Sequence, residues 1–180
     1  MIAAVRQKYT RIPKPIRIFL VRAVIVFILW QLLYHLFLQP IRVPDSFLTD
    51  ITTMATVKVL SLFYSDVSSV LGHFKAIITI GGRRIIGIAD PCNALELYVL
   101  YISFLFCYPN TTKKRFIFLL IGLPAIFVLN IIRCVTITWL NISHKGWVDI
   151  SHHYIFTAIM YLLIFYSWVL YTKGGREHAA

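Results

Sequence analysis

The chain is poor in charge. Only 14% of its 180 residues are Asp, Glu, Lys or Arg, and seven are acidic, where ordinary globular proteins carry roughly 25% charged residues. That shortage excludes a water-soluble surface of usual make-up. Cysteine is scarce as well: Cys92, Cys107 and Cys134 are the three present. An odd number in a mostly apolar chain excludes a disulfide framework. There is no Cys-x-x-Cys pair and no His/Cys metal spacing. His152 and His153 are adjacent, whereas one helical metal face wants i and i+4. No metal and no cofactor are expected. Internal repeats and low-complexity stretches are absent, and the length leaves no room for a second large domain.

What is present is apolar. The chain is 59% hydrophobic with mean hydropathy +0.77, which is the composition of an integral membrane protein. A formal net charge of +11 would suit nucleic acid. The Lys and Arg residues instead cluster at the ends of hydrophobic segments, the pattern of membrane topology and of contact with anionic lipids. Anionic membrane lipids are therefore expected as partners, and nucleic acid is not.

Four segments are long or apolar enough to be candidate spans: 18–38, 92–108, 116–140 and 153–171. A spanning helix needs about 20 mainly apolar residues, with about 17 as the lower limit. The second segment is the shortest and contains Glu96. The first is preceded by Arg6, Lys8, Arg11, Lys14 and Arg17. It exceeds the roughly 7–15 residues of a signal-peptide core and has no small-residue cleavage site after it, so it reads as a retained helix. With four spans, this basic tail, the Lys113-Lys114-Arg115 loop and the Lys173/Arg176 tail fall on one side, and the positive-inside rule makes that side cytoplasmic. The 39–91 insert and the 141–152 loop then lie outside.

The insert has structure of its own. Asp45 and Ser46 can cap a helix running to Tyr64, with Leu48, Ile51, Ala55, Val59, Leu62 and Phe63 near helical spacing. This predicts an interfacial helix lying on the outer leaflet. Two β-rich runs then flank Gly81-Gly82, a hairpin signal. The expected fold class is an all-α polytopic membrane protein: four transmembrane helices, an outer interfacial helix and a small β-hairpin, in one domain over 1–180. Arg22, His35 and His73 read as boundary or bundle polar groups.

Three polar residues share a depth. Cys92 opens the second span and His153 the fourth. Arg133 lies 17 residues beyond Phe116, or about 25 Å along a helix at 1.5 Å per residue, in a hydrocarbon core about 30 Å thick. A cysteine attacks as thiolate and needs a base or a nearby cation. His153 can serve as base and then as acid, and Arg133 can stabilise a thiolate or an oxyanion. At a helix N-terminus, Cys92 gains from the macrodipole. A charge inside a span costs about 2.5–3.5 kcal/mol on insertion scales and marks function by default, with snorkelling to headgroups as the plain alternative. Cys107 and Cys134 read as small core hydrophobes. Glu96, four residues after Cys92, has three open roles: pairing with Arg133, orienting His153, or standing solvated at the boundary. Asn130 shares a helical face with Arg133, and either holds the guanidinium or joins two helices.

Asp90-Pro91-Cys92-Asn93-Ala94-Leu95-Glu96, then Asn130-Ile-Ile-Arg133, then His152-His153-Tyr-Ile-Phe resemble the exosortase/archaeosortase family, polytopic membrane cysteine transpeptidases of bacteria and archaea. The four-span form is similar to the short versions of Bacteroidetes-type bacteria. The resemblance implies Cys92 as nucleophile, Asn130 and Arg133 as the family's Asn-x-x-Arg pair, and His153 rather than His152 as the histidine. It also implies a substrate: the C-terminal sorting signal of an exported, membrane-anchored protein, cut at the outer face of the cytoplasmic membrane. The resulting thioester would pass to water or to an acceptor amine. Family members usually carry Gly two residues after the cysteine, where this chain has Ala94. A second expectation, from another class, is a non-catalytic bundle that binds a partner or a lipid-linked saccharide in an export system.

Overall fold

The computed structural model describes residues 14–72 and 75–173. Helix α1 covers Lys14–Leu33 and continues through a π-turn, Tyr34–Leu38, into a last turn, Gln39–Ile41. Its apolar run, broken only by Arg22, Gln31 and His35 between Ile18 and Leu38, keeps it helical through Ile41. It then stops at Arg42, whose φ of 53° is left-handed, a region that L-residues rarely enter. The most apolar stretch of α1 has none of its residues buried. The helix leans on the rest of the chain through Phe19, edge-on to Phe104 and Tyr108 at 5.4 and 6.0 Å.

Helix α2, Asp45–Leu60, follows. Next comes an antiparallel sheet in the order β1 (Val67–Leu71), β2 (Lys75–Ile80), β3 (Arg83–Ala89). Gly81 and Gly82 turn the β2–β3 hairpin at φ 57° and 72°, values that suit glycine and the tight turns that match strand twist. The register shifts from Ile78↔Ile86 to Thr79↔Arg84, leaving Ile85 as a bulge. The Asn141 amide donates to the Ile85 carbonyl, closing the bulge against a neighbouring helix.

That neighbour is α4, Thr112–Ser143, which comes after the short α3, Leu95–Cys107. Thr111 caps α4 by accepting from the Lys114 N–H at 3.3 Å. Beyond α4 the chain makes a 3₁₀ turn (Lys145–Trp147), a helical turn (Val148–Ile150), a π-turn (Ser151–Ile155) and then α5, Phe156–Thr172. Two cores result. One lies under the sheet, around Leu60, Ile78, Ile88 and Cys134. The other lies between α3, α4 and α5, around Tyr101, Leu105, Ile126, Met160, Ile164 and Tyr171. Buried hydroxyls lock this second core, with Tyr101 Oη donating to the Phe118 carbonyl and Tyr171 Oη to the Leu105 carbonyl, both at 3.0 Å.

The expected fold needs three corrections. Among the described residues, three helices, Ile16–Ile41, Thr112–Ser143 and Lys145–Thr172, are long and apolar enough to cross a membrane. The 92–108 segment forms a helix of 13 residues, about 20 Å long at 1.5 Å per residue and short of a core about 30 Å thick. The chain is mostly helical, as expected, and β1 adds a third strand to the expected hairpin. Helix α2 also buries an unexpected face. Thr49, Thr52, Thr53 and Thr56 are buried with Leu60, while Leu62 and Phe63 are exposed. The small threonines let α2 pack closely on α4, with Leu60 and Cys134 in one core cluster. Asp45 does not cap α2 with its side chain. His73 lies outside the described residues, as do Arg6, Lys8, Arg11 and Arg176 of the tails; Arg22 and His35 are exposed on α1.

Candidate active site

Strand β3 delivers the chain directly into the site. After Ala89, the Asp90–Cys92 segment makes one 3₁₀ turn with Pro91 at its centre. Ala94 then takes φ 65°, ψ 16° and starts α3. This left-handed residue turns the chain from strand to helix and leaves Cys92 half-buried at the corner. A residue with a Cβ pays for that conformation, and glycine does not. The glycine usual at this place in the resembling family therefore has a backbone reason, which Ala94 meets under strain.

A polar network anchors the turn. The Arg42 guanidinium grips Asp90 with two bonds, Nε to Oδ2 at 3.0 Å and Nη2 to Oδ1 at 2.8 Å. Thr49 Oγ1 donates to the same carboxylate at 3.0 Å. The bond to Asp90 raises the Arg42 pKa above its already high ordinary value, so the cation persists at any ordinary pH. One residue after Cys92, buried Asn93 works in both directions. Its Nδ2 donates to Asp45 Oδ1 at 2.9 Å, and its Oδ1 accepts from the Leu95 N–H at 2.8 Å. That second bond does the work of an N-cap for α3. Tyr34 Oη donates to Asp45 Oδ2 at 3.1 Å. The residues on either side of the cysteine are thus tied to the end of α1 and the start of α2.

The other face of the site comes from α4 and the π-turn before α5. The Cys92 sulfur lies 3.6 Å from His152 Nε2. The sequence pointed to His153, but His153 is exposed and meets His152 edge-on, with ring centroids 4.8 Å apart. Both histidines sit in a π-turn, a distortion frequent at functional sites. Its extra residue per turn changes the direction of side chains relative to an α-helix. Asn130 is fully buried and its Nδ2 donates to the Cys92 carbonyl at 3.0 Å. It therefore holds the Cys92 turn rather than the guanidinium. Arg133, one turn further along α4, is close enough for its charge to act on His152 and Cys134. The buried Arg133 Nε and Asn130 Oδ1 have no hydrogen-bond partner. Glu96 is exposed, and no hydrogen bond or ion pair joins it to Arg133 or His153 among the described residues. Cys107 and Cys134 are each 3% exposed, closed off from any substrate.

The site therefore brings together Cys92, His152, Asn130 and Arg133, with His153 behind His152 and Glu96 apart. The sequence reading missed the anchors Arg42, Asp45, Thr49 and Asn93. Asp90 and Asn93 flank Cys92 and were in view. Their partners lie 41 to 48 residues upstream, where Arg42 counted only toward a charge tally and Asp45 only as a cap. Among the described residues, no group of three or more His, Cys, Asp or Glu side chains could hold a metal ion. The arrangement offers a thiol, an imidazole within reach of it, and a guanidinium with an unused buried donor. Chemically, that set suits acyl transfer through a thiolate.

The family model for transmembrane exosortases (Exosortase_EpsH) matches residues 15–166 of this chain. No curated protein and no solved structure matches it.

Proposed function

Because the chain belongs to the transmembrane exosortase family, we propose that it is a cysteine transpeptidase or protease, with Cys92 as its nucleophile. Its substrate would be the C-terminal sorting signal of an exported, membrane-anchored protein. The observation that carries this reading is the 3.6 Å approach of Cys92 Sγ to His152 Nε2. His152 takes the thiol proton, and the thiolate attacks the carbonyl carbon of the scissile bond. The oxyanion that forms is met by the Arg133 guanidinium, with the positive end of α3 beside it. Collapse of the tetrahedral species breaks the C–N bond. His152 returns the proton to the leaving amine, and a thioester remains on Cys92. Water or an acceptor amine attacks that thioester, gives a proton to His152 and frees the sulfur.

In this reading the short α3 and its flanking turns complete a fourth crossing, so that by the positive-inside rule the basic tails and the Lys113–Arg115 loop lie in the cytoplasm and the site toward the outer side of the cytoplasmic membrane. Helix α3 begins at the site and ends beside that basic loop, only about 20 Å away. Cys92 then sits below the outer boundary of a core about 30 Å thick, within reach of a segment that is itself membrane-anchored. Anionic lipid headgroups neutralise the basic ends.

The test is processing of the sorting signal in cells that produce Cys92→Ala, His152→Ala or His153→Ala protein at unchanged abundance. Cys92→Ala should abolish cleavage. His152→Ala should cost about 10²–10⁴-fold, the usual contribution of a general acid–base, and His153→Ala less than about tenfold. Normal processing by Cys92→Ala protein sinks the enzymatic reading and favours a non-catalytic binding bundle.

A further inference from the structure

Two atoms beside the nucleophile are left over by the chemistry above. Asn130 spends its Nδ2 on the Cys92 carbonyl, at 3.0 Å, and this bond fixes which end of the amide is the oxygen. That oxygen, Oδ1, is buried without a partner, and the side chain that carries it is 0% exposed. One turn along the same face of α4, Arg133 Nε is also buried without a partner. Native proteins leave few such groups unsatisfied, and each one calls for an explanation in a bound water or ligand. Here one is a pure acceptor and the other a pure donor. Residues at i and i+3 on a helix stand about 5–6 Å apart at their Cβ atoms.

A substrate chain in extended conformation presents a matching pair. The N–H and C=O of one residue in a β-strand point to the same side, which lets paired residues in an antiparallel ladder exchange both bonds. We infer that Asn130 and Arg133 together read one residue of an extended substrate peptide: Asn130 Oδ1 accepts its N–H and Arg133 Nε donates to its C=O. This rests on the cysteine-nucleophile reading and adds to it a peptide-backbone subsite, with Asn130 as a substrate-binding residue as well as the clamp on Cys92. Arg133 then has two tasks: Nε holds the backbone while the charge of the group faces the oxyanion. The ligand class is narrow. An ester linkage has no N–H for Asn130, and a phosphate offers no donor at neutral pH. The contact uses backbone alone, so side-chain choice in the sorting signal falls to other surfaces.

The experiment uses the whole protein in detergent and an electrophile directed at Cys92. A mixed-sequence tetrapeptidyl chloromethyl ketone is compared with a set in which each amide nitrogen in turn is methylated; the thiolate displaces chloride, and intact mass reports the rate. Methylation at one position should slow labelling of the unmutated protein about tenfold, the worth of one hydrogen bond. In Asn130→Ala protein that penalty should vanish. Arg133→Lys should slow labelling by the peptidyl reagent about tenfold after each rate is divided by the same protein's own rate with iodoacetamide, which needs no subsite. The inference is overturned by a rate indifferent to methylation, as two atoms that merely hold water would give, or by a penalty that survives Asn130→Ala. If Cys92 ignores every peptidyl reagent but takes iodoacetamide, the nucleophile reading falls with it. If processing in cells requires Cys92 yet methylation has no effect, only the backbone subsite is lost.

Discussion

Replacing Arg42 by Ala should lower stability by about 2 kcal/mol and free the turn that carries Cys92. The loss includes two bonds to the Asp90 carboxylate at 3.0 and 2.8 Å, between side chains 16% and 21% exposed. A hydrogen bond to a charged group is worth about 1.5–3 kcal/mol net. Solvent reaches both partners, which discounts the pair well below the sum. Thr49 still donates to Asp90 at 3.0 Å, so the carboxylate is not orphaned. Arg42→Lys keeps the charge without the planar fork and should recover about half of the loss. A double-mutant cycle of Arg42→Ala with Asp90→Asn should return a coupling of about 1–1.5 kcal/mol. Thermal unfolding of detergent-solubilised protein measures the stability, and the maleimide labelling rate at Cys92 measures the local effect. Labelling should quicken several-fold in Arg42→Ala, because the turn loses its grip on α1. A coupling under about 0.3 kcal/mol, with Cys92 labelling unchanged, would refute the idea that this pair anchors the turn.

Ala94→Gly should be neutral to mildly stabilising in the same unfolding assay. It relieves a left-handed alanine at φ 65° worth about 1–2 kcal/mol, and loses a buried methyl and unfolded-state rigidity together worth about the same; Ala94→Val, which keeps the strain and adds bulk, should cost more than 2 kcal/mol, or about that. Gly122→Ala should destabilise, since a Cβ there falls on the Tyr101 ring and hydroxyl; the expected cost is about 1–3 kcal/mol, and a Tm equal to that of the unmutated protein counts against the close α3–α4 contact. Thr52→Val should stabilise by about 1 kcal/mol, because Thr52 Oγ1 is buried with no hydrogen-bond partner; a loss of similar size would mean that the hydroxyl is satisfied after all.

The parts of the site that were legible in the sequence are those whose signal is local or costly. Arg133 stands out because a charge in an apolar run needs a reason. Cys92 stands out from its position at the start of an apolar helix and from the family resemblance. The Gly81-Gly82 hairpin follows from backbone preference alone. The choice between His152 and His153 did not follow from the boundary of the apolar run. Adjacent helical residues point about 100° apart, and the π-turn at Ser151–Ile155 alters that direction again. Packing of this turn against α4 is what aims His152 at the sulfur.

The reversed face of α2 has a related cause. Hydrophobic periodicity assumes that apolar side chains face inward, as they do when water is outside. Next to lipid that drive disappears, and helices meet instead through small and weakly polar residues. Thr49, Thr52, Thr53 and Thr56 therefore point in, and Phe47 and Met54 are left for the outer surface. The second expected span is short for a local reason: the 92–108 run spends its first residues on the turn at Cys92 and the left-handed Ala94, so 13 residues remain for α3.

Composition and order in the chain thus determined that this is a membrane protein, which family it belongs to, and that Cys92 and Arg133 are the residues to watch. Those are properties of one residue or one short run, written in charge, hydropathy and spacing. Tertiary structure decided which histidine meets the sulfur, that Asn130 clamps the Cys92 carbonyl, and that Arg42, Asp45 and Thr49 hold the turn from 41 to 48 residues away. Such contacts depend on how helices rotate and pack against one another. Rotation about a helix axis is set by every contact along its length, and no local pattern specifies it.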